Sequence, residues 1–151
     1  MNFISVTKDN FAEASALRPK RSQYQHIRPD TVLSVLAMGY VDPPERPTRP
    51  CLIEEGGRLV GFLTVRDLGH SVRFYAFFID RRYQGRGLGR RALLHLIDWV
   101  KEHHPGARGI ECGVRPENAV ARHLYEDLGF RHTGVVSRHG LMEMELQFGA
   151  P

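Results

Sequence analysis

The chain has 151 residues, of which 42% are hydrophobic and 25% charged, the composition of an ordinary globular protein. A chain of this length forms one domain, so we expect residues 1–151 to be a single domain. No apolar run approaches about 18 residues, so we expect no membrane-spanning helix and no membrane partner. The first residues lack a basic stretch followed by an apolar core, and we therefore expect no signal peptide and a cytoplasmic location.

The net charge is +4 and the sequence pI is about 9.4. Basic domains often bind nucleic acid, but the arginines here are scattered and are not interleaved with aromatic residues. We therefore expect no nucleic-acid partner, since a small polyanionic ligand would use the same charge. Cys51 and Cys112 are far apart and form no C-x-x-C motif, so we expect two reduced thiols.

The first half of the chain shows strand and helix signals in apolar periodicity and capping residues. Four prolines between residues 41 and 50 predict an extended surface loop, either a connector or the rim of a substrate entrance. Gly56-Gly57 predicts a hairpin turn. The predicted elements are a strand at 2–7, a helix from Asp9 or Asn10 to Leu17, a polar loop or frayed helix at 20–28, a short helix from Asp30 or Thr31, and strands at 51–55, 59–65 and 72–79.

The second half contains two amphipathic helices, each followed by strands. We expect the strand after the first helix to run parallel to the strand before it, because the helix would serve as a crossover. The predicted elements are a helix from Leu88 to about His104, a strand at 109–114, a helix from Asn118 to Leu128 with Gly129 as its left-handed cap, and a hairpin of strands at 133–138 and 141–146 turned at His139-Gly140. The order of strands and helices predicts an α+β or mixed α/β fold.

Residues 84–91 (Gln-Gly-Arg-Gly-Leu-Gly-Arg-Arg) form a glycine-rich turn between the strand at 72–79 and the next helix. The glycines let the backbone approach a ligand, and the first amides of a helix have no internal partner. Such amides and the positive end of the helix dipole attract a diphosphate, and the three arginines add positive charge. The alternative is a plain tight turn, because the spacing matches neither a dinucleotide-binding fingerprint nor a Walker A loop.

The turn is one of three segments that carry a family resemblance. The segments are Phe77–Gly89 with its Gln84-x-x-Gly87-x-Gly89 motif, Asn118-Ala119-x-Ala121-x-x-Leu124-Tyr125, and Leu128-Gly129-Phe130. In this order they resemble the GNAT superfamily of acyl-CoA-dependent N-acetyltransferases. The resemblance implies the GNAT fold, a mixed, mostly antiparallel sheet of six or seven strands flanked by about four helices in the order β-α-α-β-β-β-α-β-α-β-β.

Within that family the chain resembles bacterial spermine and spermidine (polyamine) acetyltransferases. The shared residues are Phe-Phe-Ile-Asp-x-x-Tyr-Gln-Gly at 77–85 and an early Gln23-x-x-His26-Ile27 stretch followed by residues 34–37. The chain departs from those relatives around the amine site, where they tend to carry acidic side chains and a basic residue in place of Ala76. Polycations need carboxylates to offset lost hydration, and the candidates here are few and mixed with arginines. These candidates are Asp30, Asp42, Glu45, Asp67 and Asp80.

The resemblance implies acetyl-CoA (coenzyme A) as co-substrate, lying along the strand at 72–79, with an amide near Phe78 polarising the acetyl carbonyl. The implied coenzyme residues are Phe77, Phe78, Ile79, Gln84, Gly85, Arg86, Gly87, Leu88, Gly89, Arg90 and Asn118. Asn118 alternatively acts only as a helix cap. Tyr125 stands where the family places the general acid that protonates the departing thiolate. Its position on an apolar stripe fits a plain core residue as well.

The group that takes the proton of the acceptor amine stays open among Glu111, Tyr75, Asp80 and a water chain. No metal is expected, because the adjacent His103 and His104 have no further ligands on a common face. The resemblance implies acetyl transfer to a primary amine of a small molecule, with a polyamine as one candidate, by direct attack in a ternary complex. The alternatives are a protein or peptide N-acetyltransferase and a non-catalytic acyl-CoA sensor. Family members are often homodimers, but the sequence carries no interface signal.

Overall fold

The computed structural model describes residues 1–39, 41, 44–45 and 47–149. The elements are β1 (Asn2–Ser5), α1 (Phe11–Ser15), a 3₁₀ turn (Arg21–Gln23), α2 (Thr31–Met38), β2 (Arg49–Glu55), β3 (Arg58–Asp67), β4 (Val72–Ile79), α3 (Leu88–His103), β5 (Gly109–Val114), α4 (Ala119–Asp127), β6 (Arg131–Val136) and β7 (Met142–Gln147). The strands form one sheet in the order β1-β2-β3-β4-β5-β7-β6. Among the described strands, only β4 and β5 are parallel neighbours. The predicted fold class and element order are confirmed.

The first helix is shorter than the sequence predicts. α1 ends at Ser15 and not at Leu17, because the following amides donate to carbonyls three residues back, as in a 3₁₀ turn. Asn10 precedes the helix as expected, but its side chain does not cap it. It accepts a hydrogen bond from the backbone N–H of Thr7 and donates one to the carbonyl of Ser5. The side chain therefore holds the turn that leads out of β1.

The predicted proline-rich loop at 41–50 is shorter than expected at its C-terminal end. Residues 42, 43 and 46 of that loop lie outside the described part of the chain. Arg49 and Pro50 belong to β2, where they pair with Val65 and Thr64 of β3. β1 runs beside β2 only as far as Cys51, so the missing N–H of Pro50 costs no ladder bond to β1.

The C-terminal hairpin has shifted ends. β6 begins at Arg131, two residues before the predicted start, because Arg131 and His132 pair with Glu145 and Met144 of β7. β6 ends at Val136, before the predicted end. The turn lies where the sequence predicts it, and Gly140 there has φ +79. That positive φ is readily adopted by glycine alone.

Helices cover both faces of the sheet, and side chains alternate between two cores. Leu52 packs in the core beneath α1 and α2, whereas its neighbours Cys51 and Ile53 pack in the core beneath α3 and α4. The α3 face contributes an apolar stripe at helical spacing, as predicted. Its buried members are Leu88, Ala92, Leu93, Leu96 and Val100. Within the described ranges, no helix has both the length and the hydropathy to cross a membrane.

β4 contains an irregularity that separates it from β5. Ala76 has φ +53, and the register with β3 shifts there, since Phe62 lies opposite Phe78 whereas Thr64 lies opposite Tyr75. Such a bulge bends a strand and increases its twist. β4 pairs with β5 at only two positions near its start, Val72 with Ile110 and Arg73 with Glu111. Beyond Arg73 the two strands diverge and leave a cleft between them.

Charged side chains join the strands below the point where they diverge. The guanidinium of Arg73 donates two hydrogen bonds to Glu143 of β7, at 2.8 and 3.1 Å, and lies 3.7 Å from the carboxylate of Glu111 on β5. Gly113 leaves room for this guanidinium, because a Cβ there would lie 3.0 Å from an Arg73 nitrogen. The hydroxyl of Ser71 also donates to Glu111. These contacts link β4, β5 and β7 at the closed end of the cleft.

Candidate active site

The cleft between β4 and β5 has a volume of about 430 Å³. It is lined by the diverging part of β4, the glycine-rich turn, the end of β5, α4, and the segment that follows the 3₁₀ turn. The open sheet edge between two parallel strands, beside a helix N-terminus, is a frequent place for a ligand in α/β proteins. The geometry thus brings together segments that are more than a hundred residues apart in the sequence, from Gln23 to Leu141.

The glycine-rich turn has the conformation that the sequence predicts. Gly85 and Gly87 have φ +76 and +74, and Gly87 immediately precedes α3. A Cβ on either glycine would meet no atom within 4 Å, so this backbone faces open space. The first amides of α3 have no partner within the helix, and its first turn carries no acidic residue. The turn can therefore receive an anion at the positive end of the helix dipole.

Most of the predicted coenzyme residues line this cleft. Those that do are Phe77, Phe78, Ile79, Gln84, Gly85, Gly87, Leu88, Gly89 and Asn118. Arg86 and Arg90 are exposed and lie outside the lining. The guanidinium of Arg86 lies over the ring of Tyr83 at 5.6 Å. The side chain of Asn118 accepts a hydrogen bond from the N–H of Ala121 at 3.3 Å, so its predicted capping role is confirmed.

Tyr125 is buried at the inner side of the cleft, with only 7% of its surface exposed. Its ring makes edge contacts with Phe74 and an inclined contact with Phe130, with centroids 5.6 and 5.8 Å away. Its hydroxyl makes no hydrogen bond within the described chain. Burial, and secondarily the nearby thiol of Cys112, raises the pKa of Tyr125 well above its ordinary value. The phenol therefore keeps its proton at neutral pH.

The three side chains considered as bases lie in different surroundings. Tyr75 lines the cleft, and its hydroxyl lies 3.1 Å from the hydroxyl of Thr48. Glu111 lies outside the cleft lining and contacts Ser71, Arg73 and His70 at the closed end.

Asp80 is also outside the lining and is only 1% exposed. It accepts hydrogen bonds from the backbone N–H of Arg18, the backbone N–H of Arg82 and the guanidinium of Arg82. Burial by itself would raise the pKa of Asp80, but these bonds outweigh it and lower the pKa below the ordinary value. Asp80 is thus held as a carboxylate that organises the backbone.

We expect Asp80→Asn to lower the free energy of unfolding at neutral pH by about 1–3 kcal/mol, because a buried N–H loses a charged acceptor. The folded-state pKa of Asp80 is lowered, so its stabilising effect is complete above its ordinary pKa and is lost as the pH falls through the folded value. In urea unfolding, the difference in the free energy of unfolding between wild type and Asp80→Asn should therefore shrink as the pH falls from neutral to about 3. Asp127→Asn, at an exposed position, is the control. An equal loss in both variants would contradict the role of Asp80.

Of the other carboxylates considered for a cationic acceptor, the three that the structure describes do not line the cleft either. Asp30 pairs with the guanidinium of Arg28 at 2.9 Å, and Asp67 lies 3.1 Å from a ring nitrogen of His104. Glu45 is exposed, and Asp42 lies outside the described residues. Among the described residues that line the cleft, none is acidic.

The structure adds lining residues that the sequence analysis assigned no role. Gln23, His26 and Ile27 come from the segment between α1 and α2, and Arg115 comes from the loop after β5. The ring nitrogen Nδ1 of His26 is buried and has no hydrogen-bond partner among the described residues. Spacing along the chain carries no signal for these residues, because they reach the cleft only through long-range packing. In the sequence, only the Gln23-x-x-His26-Ile27 stretch shared with the polyamine acetyltransferases indicates a role for this segment.

The two cysteines do not pair with each other, and the potential metal ligands of the described chain form no cluster. Cys51 and Cys112 are buried, unpaired thiols. Burial raises the pKa of Cys51 to about 11 and that of Cys112 to about 12, so both stay protonated at neutral pH. In the described part of the chain, no three His, Cys, Asp or Glu side chains come together as metal ligands.

Comparisons with known proteins agree with this geometry. Residues 13–130 match the model of the acetyltransferase (GNAT) family. The spermine/spermidine N(1)-acetyltransferase of Bacillus subtilis is 39% identical over 149 residues, which cover 93% of each chain. The N-alpha-acetyltransferase RimI of Mycobacterium tuberculosis is 37% identical over 90 residues, which cover 56% of this chain. That match spans 52% of the Mycobacterium protein, about half its length.

Solved structures show the same fold. The spermidine N-acetyltransferase of Vibrio cholerae, in complex with CoA and spermine, superposes with a TM-score of 0.74 at 17% identity and covers 97% of this chain and 94% of that one. The ribosomal-protein-S18-alanine N-acetyltransferase of Escherichia coli has a TM-score of 0.71 at 21% identity, over 99% of this chain and 95% of that one. At these identities the likeness concerns the fold alone.

Proposed function

Because the chain belongs to the acetyltransferase (GNAT) family, we propose that it is an acetyl-CoA-dependent N-acetyltransferase that acts on a primary amine of a small molecule. The observation that carries the proposal is the cleft itself. β4 diverges from β5 directly beside the glycine-rich turn, and Tyr125 faces the space between them. The proposal treats residues 1–151 as one catalytic domain.

The residues present fit coenzyme A. Gly85 and Gly87 leave open space where any other residue would place a Cβ, and the amides at the start of α3 suit a diphosphate. Beyond its two pairs with β5, β4 is free on that side, so the backbone of residues 77–79 can pair with the pantetheine amides. Gln84 donates to the carbonyl of Ile79 at 2.8 Å and so fixes the turn against the end of β4. Coenzyme A would supply the activated acetyl group.

The chemistry requires a polarised carbonyl, a proton for the departing sulfur and a neutral amine. The backbone N–H near Phe78 would donate a hydrogen bond to the acetyl oxygen. The amine attacks the carbonyl carbon directly within a ternary complex, and the carbon–sulfur bond breaks. Tyr125 would give its proton to the thiolate and recover one from the amide nitrogen or from water. The acceptor amine is an ammonium ion at neutral pH, and it must lose one proton before it attacks. Tyr75 or water would take that proton.

The acceptor is the least constrained part of the proposal. The name of the Bacillus subtilis relative makes a polyamine one candidate. The absence of acidic side chains among the described lining residues argues against a polycation, because each buried positive charge needs a partner. The name of the Mycobacterium tuberculosis relative supports the alternative acceptor, a protein or peptide amino terminus.

A substrate panel tests the proposal. We expect calorimetry to detect acetyl-CoA binding, and a thiol-release assay to detect turnover with at least one small amine among spermidine, an aminoglycoside, L-2,4-diaminobutyrate and free amino acids. Turnover only with a peptide that begins with alanine would support the protein-acetylating alternative. Binding of acetyl-CoA without any thiol release would indicate a sensor. If acetyl-CoA does not bind, the proposed function is wrong.

A further inference from the structure

The cleft has two sides, one on each face of the sheet. Leu88, the first residue of α3, packs with Phe74 and Tyr125 in the core beneath α3 and α4. The glycine-rich turn leads directly into this helix, so the turn and Tyr125 belong to the same face. This is the face from which the diphosphate would bind, and we call it the coenzyme side of the cleft.

Arg115 lies on the opposite side. The residues of β5 that pack beneath α3 and α4 alternate along the strand and are Ile110, Cys112 and Val114. Successive side chains of a strand point to opposite faces, so Gly113 belongs to the other face, and Arg115, directly after the strand, continues the alternation. Tyr75 of β4 lies on that face as well, because Phe74 before it points into the core. We call this the acceptor side of the cleft, and its lining includes Tyr75, Gly113, Arg115 and Leu141.

Arg115 is the one side chain with a permanent charge among the described residues that line the cleft. The side chain is exposed, and its guanidinium makes no hydrogen bond or ion pair with any described residue. A guanidinium has five N–H donors in a planar arrangement that matches a carboxylate. The acceptor side therefore offers a positive charge and a set of donors that the described protein groups do not use.

The two carboxylates at the closed end of the cleft are already bound by protein groups. Glu143 accepts two hydrogen bonds from Arg73, at 2.8 and 3.1 Å. Glu111 accepts one from Ser71 and lies 3.4 Å from a ring nitrogen of His70. Neither carboxylate lines the cleft. A second ammonium group of an acceptor would have to compete with Arg73 for them, whereas a carboxylate of an acceptor would find Arg115 without a competitor among the described residues.

We propose that the acceptor is a small amine that also carries a carboxylate, and that Arg115 binds this carboxylate and determines the acceptor specificity. The inference rests on the proposed function, because it takes the cleft as the place of acetyl transfer to an amine. Arginine can bind a carboxylate through two parallel N–H···O bonds, which fix orientation as well as add affinity. A second ammonium group at the same place would meet a like charge and lose hydration without compensation. The acceptor is thus an amino carboxylate and not a polyamine.

Acceptors with nearly the same carbon skeleton and a different charge test the preference. γ-Aminobutyrate, its carboxamide and putrescine carry a negative, a neutral and a positive group at a similar distance from the amine. L-2,4-diaminobutyrate and its carboxamide form a second series. In at least one series we expect kcat/KM, measured by thiol release, to be about tenfold or more higher for the carboxylate than for its carboxamide, and putrescine to be the poorest acceptor of its series. No preference for the carboxylate in either series would overturn the inference.

The variant Arg115→Gln tests the assignment to this residue. It should lower kcat/KM about tenfold for the preferred carboxylate but leave kcat/KM for its carboxamide and the KM for acetyl-CoA within about twofold. Arg115→Lys keeps the charge and should retain part of the preference, although it loses the paired donors. Arg108→Gln is the matched control, because Arg108 is an exposed arginine at the other end of β5 and does not line the cleft. It should behave as wild type.

Two further outcomes separate this inference from the proposed function. An equal fall of kcat/KM for the carboxylate and the carboxamide in Arg115→Gln would overturn the specificity role. So would thiol release with other amines of the substrate panel but with neither carboxylate. Binding of acetyl-CoA without thiol release from any amine would instead refute the proposed function, and the inference with it.

Discussion

Gly87→Glu should abolish coenzyme binding, with the dissociation constant of acetyl-CoA rising by a factor of at least about 100. Gly87 has φ +74 and its missing Cβ faces open space at the start of α3. A glutamate there would place a side chain and a negative charge where the diphosphate is expected. Two like charges a few ångströms apart repel strongly when they are partly shielded from water. Isothermal calorimetry with acetyl-CoA measures the effect.

A matched variant separates this effect from backbone strain. A non-glycine residue at positive φ costs about 1–2 kcal/mol wherever it lies. Gly140 has φ +79 in the turn between β6 and β7, and a Cβ there also meets no atom within 4 Å. We therefore expect Gly140→Glu to lose as much thermal stability as Gly87→Glu while binding acetyl-CoA like the wild type. Acetyl-CoA affinity within threefold of wild type in Gly87→Glu would show that the turn is not the coenzyme site.

Tyr125→Phe should lower kcat about a hundredfold and leave the affinity for acetyl-CoA nearly unchanged. The substitution removes only the hydroxyl, which has no hydrogen-bond partner in the described chain, and keeps the ring contacts with Phe74 and Phe130. Folding stability should therefore change little. The loss of the proton donor would act on the step in which the carbon–sulfur bond breaks. Steady-state thiol release at saturating acetyl-CoA, together with calorimetry, measures both quantities.

The pH profile gives a second check on Tyr125. Burial raises the pKa of Tyr125, so the hydroxyl stays protonated throughout an ordinary assay range. Any alkaline decline of kcat in wild type should thus persist in Tyr125→Phe. Tyr83→Phe is the comparison, because Tyr83 also lines the cleft but its ring contacts the guanidinium groups of Arg82 and Arg86. An equal fall of kcat and of acetyl-CoA affinity in Tyr125→Phe would indicate a packing role.

The element order could be predicted because its signals are local. Gly56-Gly57, the turn at residues 84–91, and Gly129 each mark a place where the backbone needs a conformation that glycine adopts readily, and all three lie at element ends in the structure. The parallel pairing of β4 and β5 also followed from the crossover helix between them. The ends of α1 and β6 could not be predicted. α1 stops where the local hydrogen bonds tighten to a spacing of three residues, and β6 starts where Arg131 and His132 pair with β7.

In the candidate site, too, the local conformations could be predicted and the long-range contacts could not. The turn and the cap of α4 at Asn118 have the conformations that their sequences predict. Asp80 looked like a base candidate beside the turn, but the fold buries it against Arg18 and Arg82. Glu111 lies at the closed end of the cleft for a similar reason, because Ser71 and Arg73 reach it from β4 and its preceding loop. The coenzyme and acid roles of the lining residues stay predictions.

The sequence by itself determined the order of the elements, the family, and the glycine-rich turn that any anionic ligand would use, because these depend on neighbouring residues and on short motifs. Only the tertiary structure decided that β4 bulges at Ala76, since alanine carries no preference for φ +53 and only packing of neighbouring strands can impose it. That bulge, with the early divergence of β4 from β5, opens the cleft. Long-range contacts then bring Gln23, His26 and Ile27 to its wall.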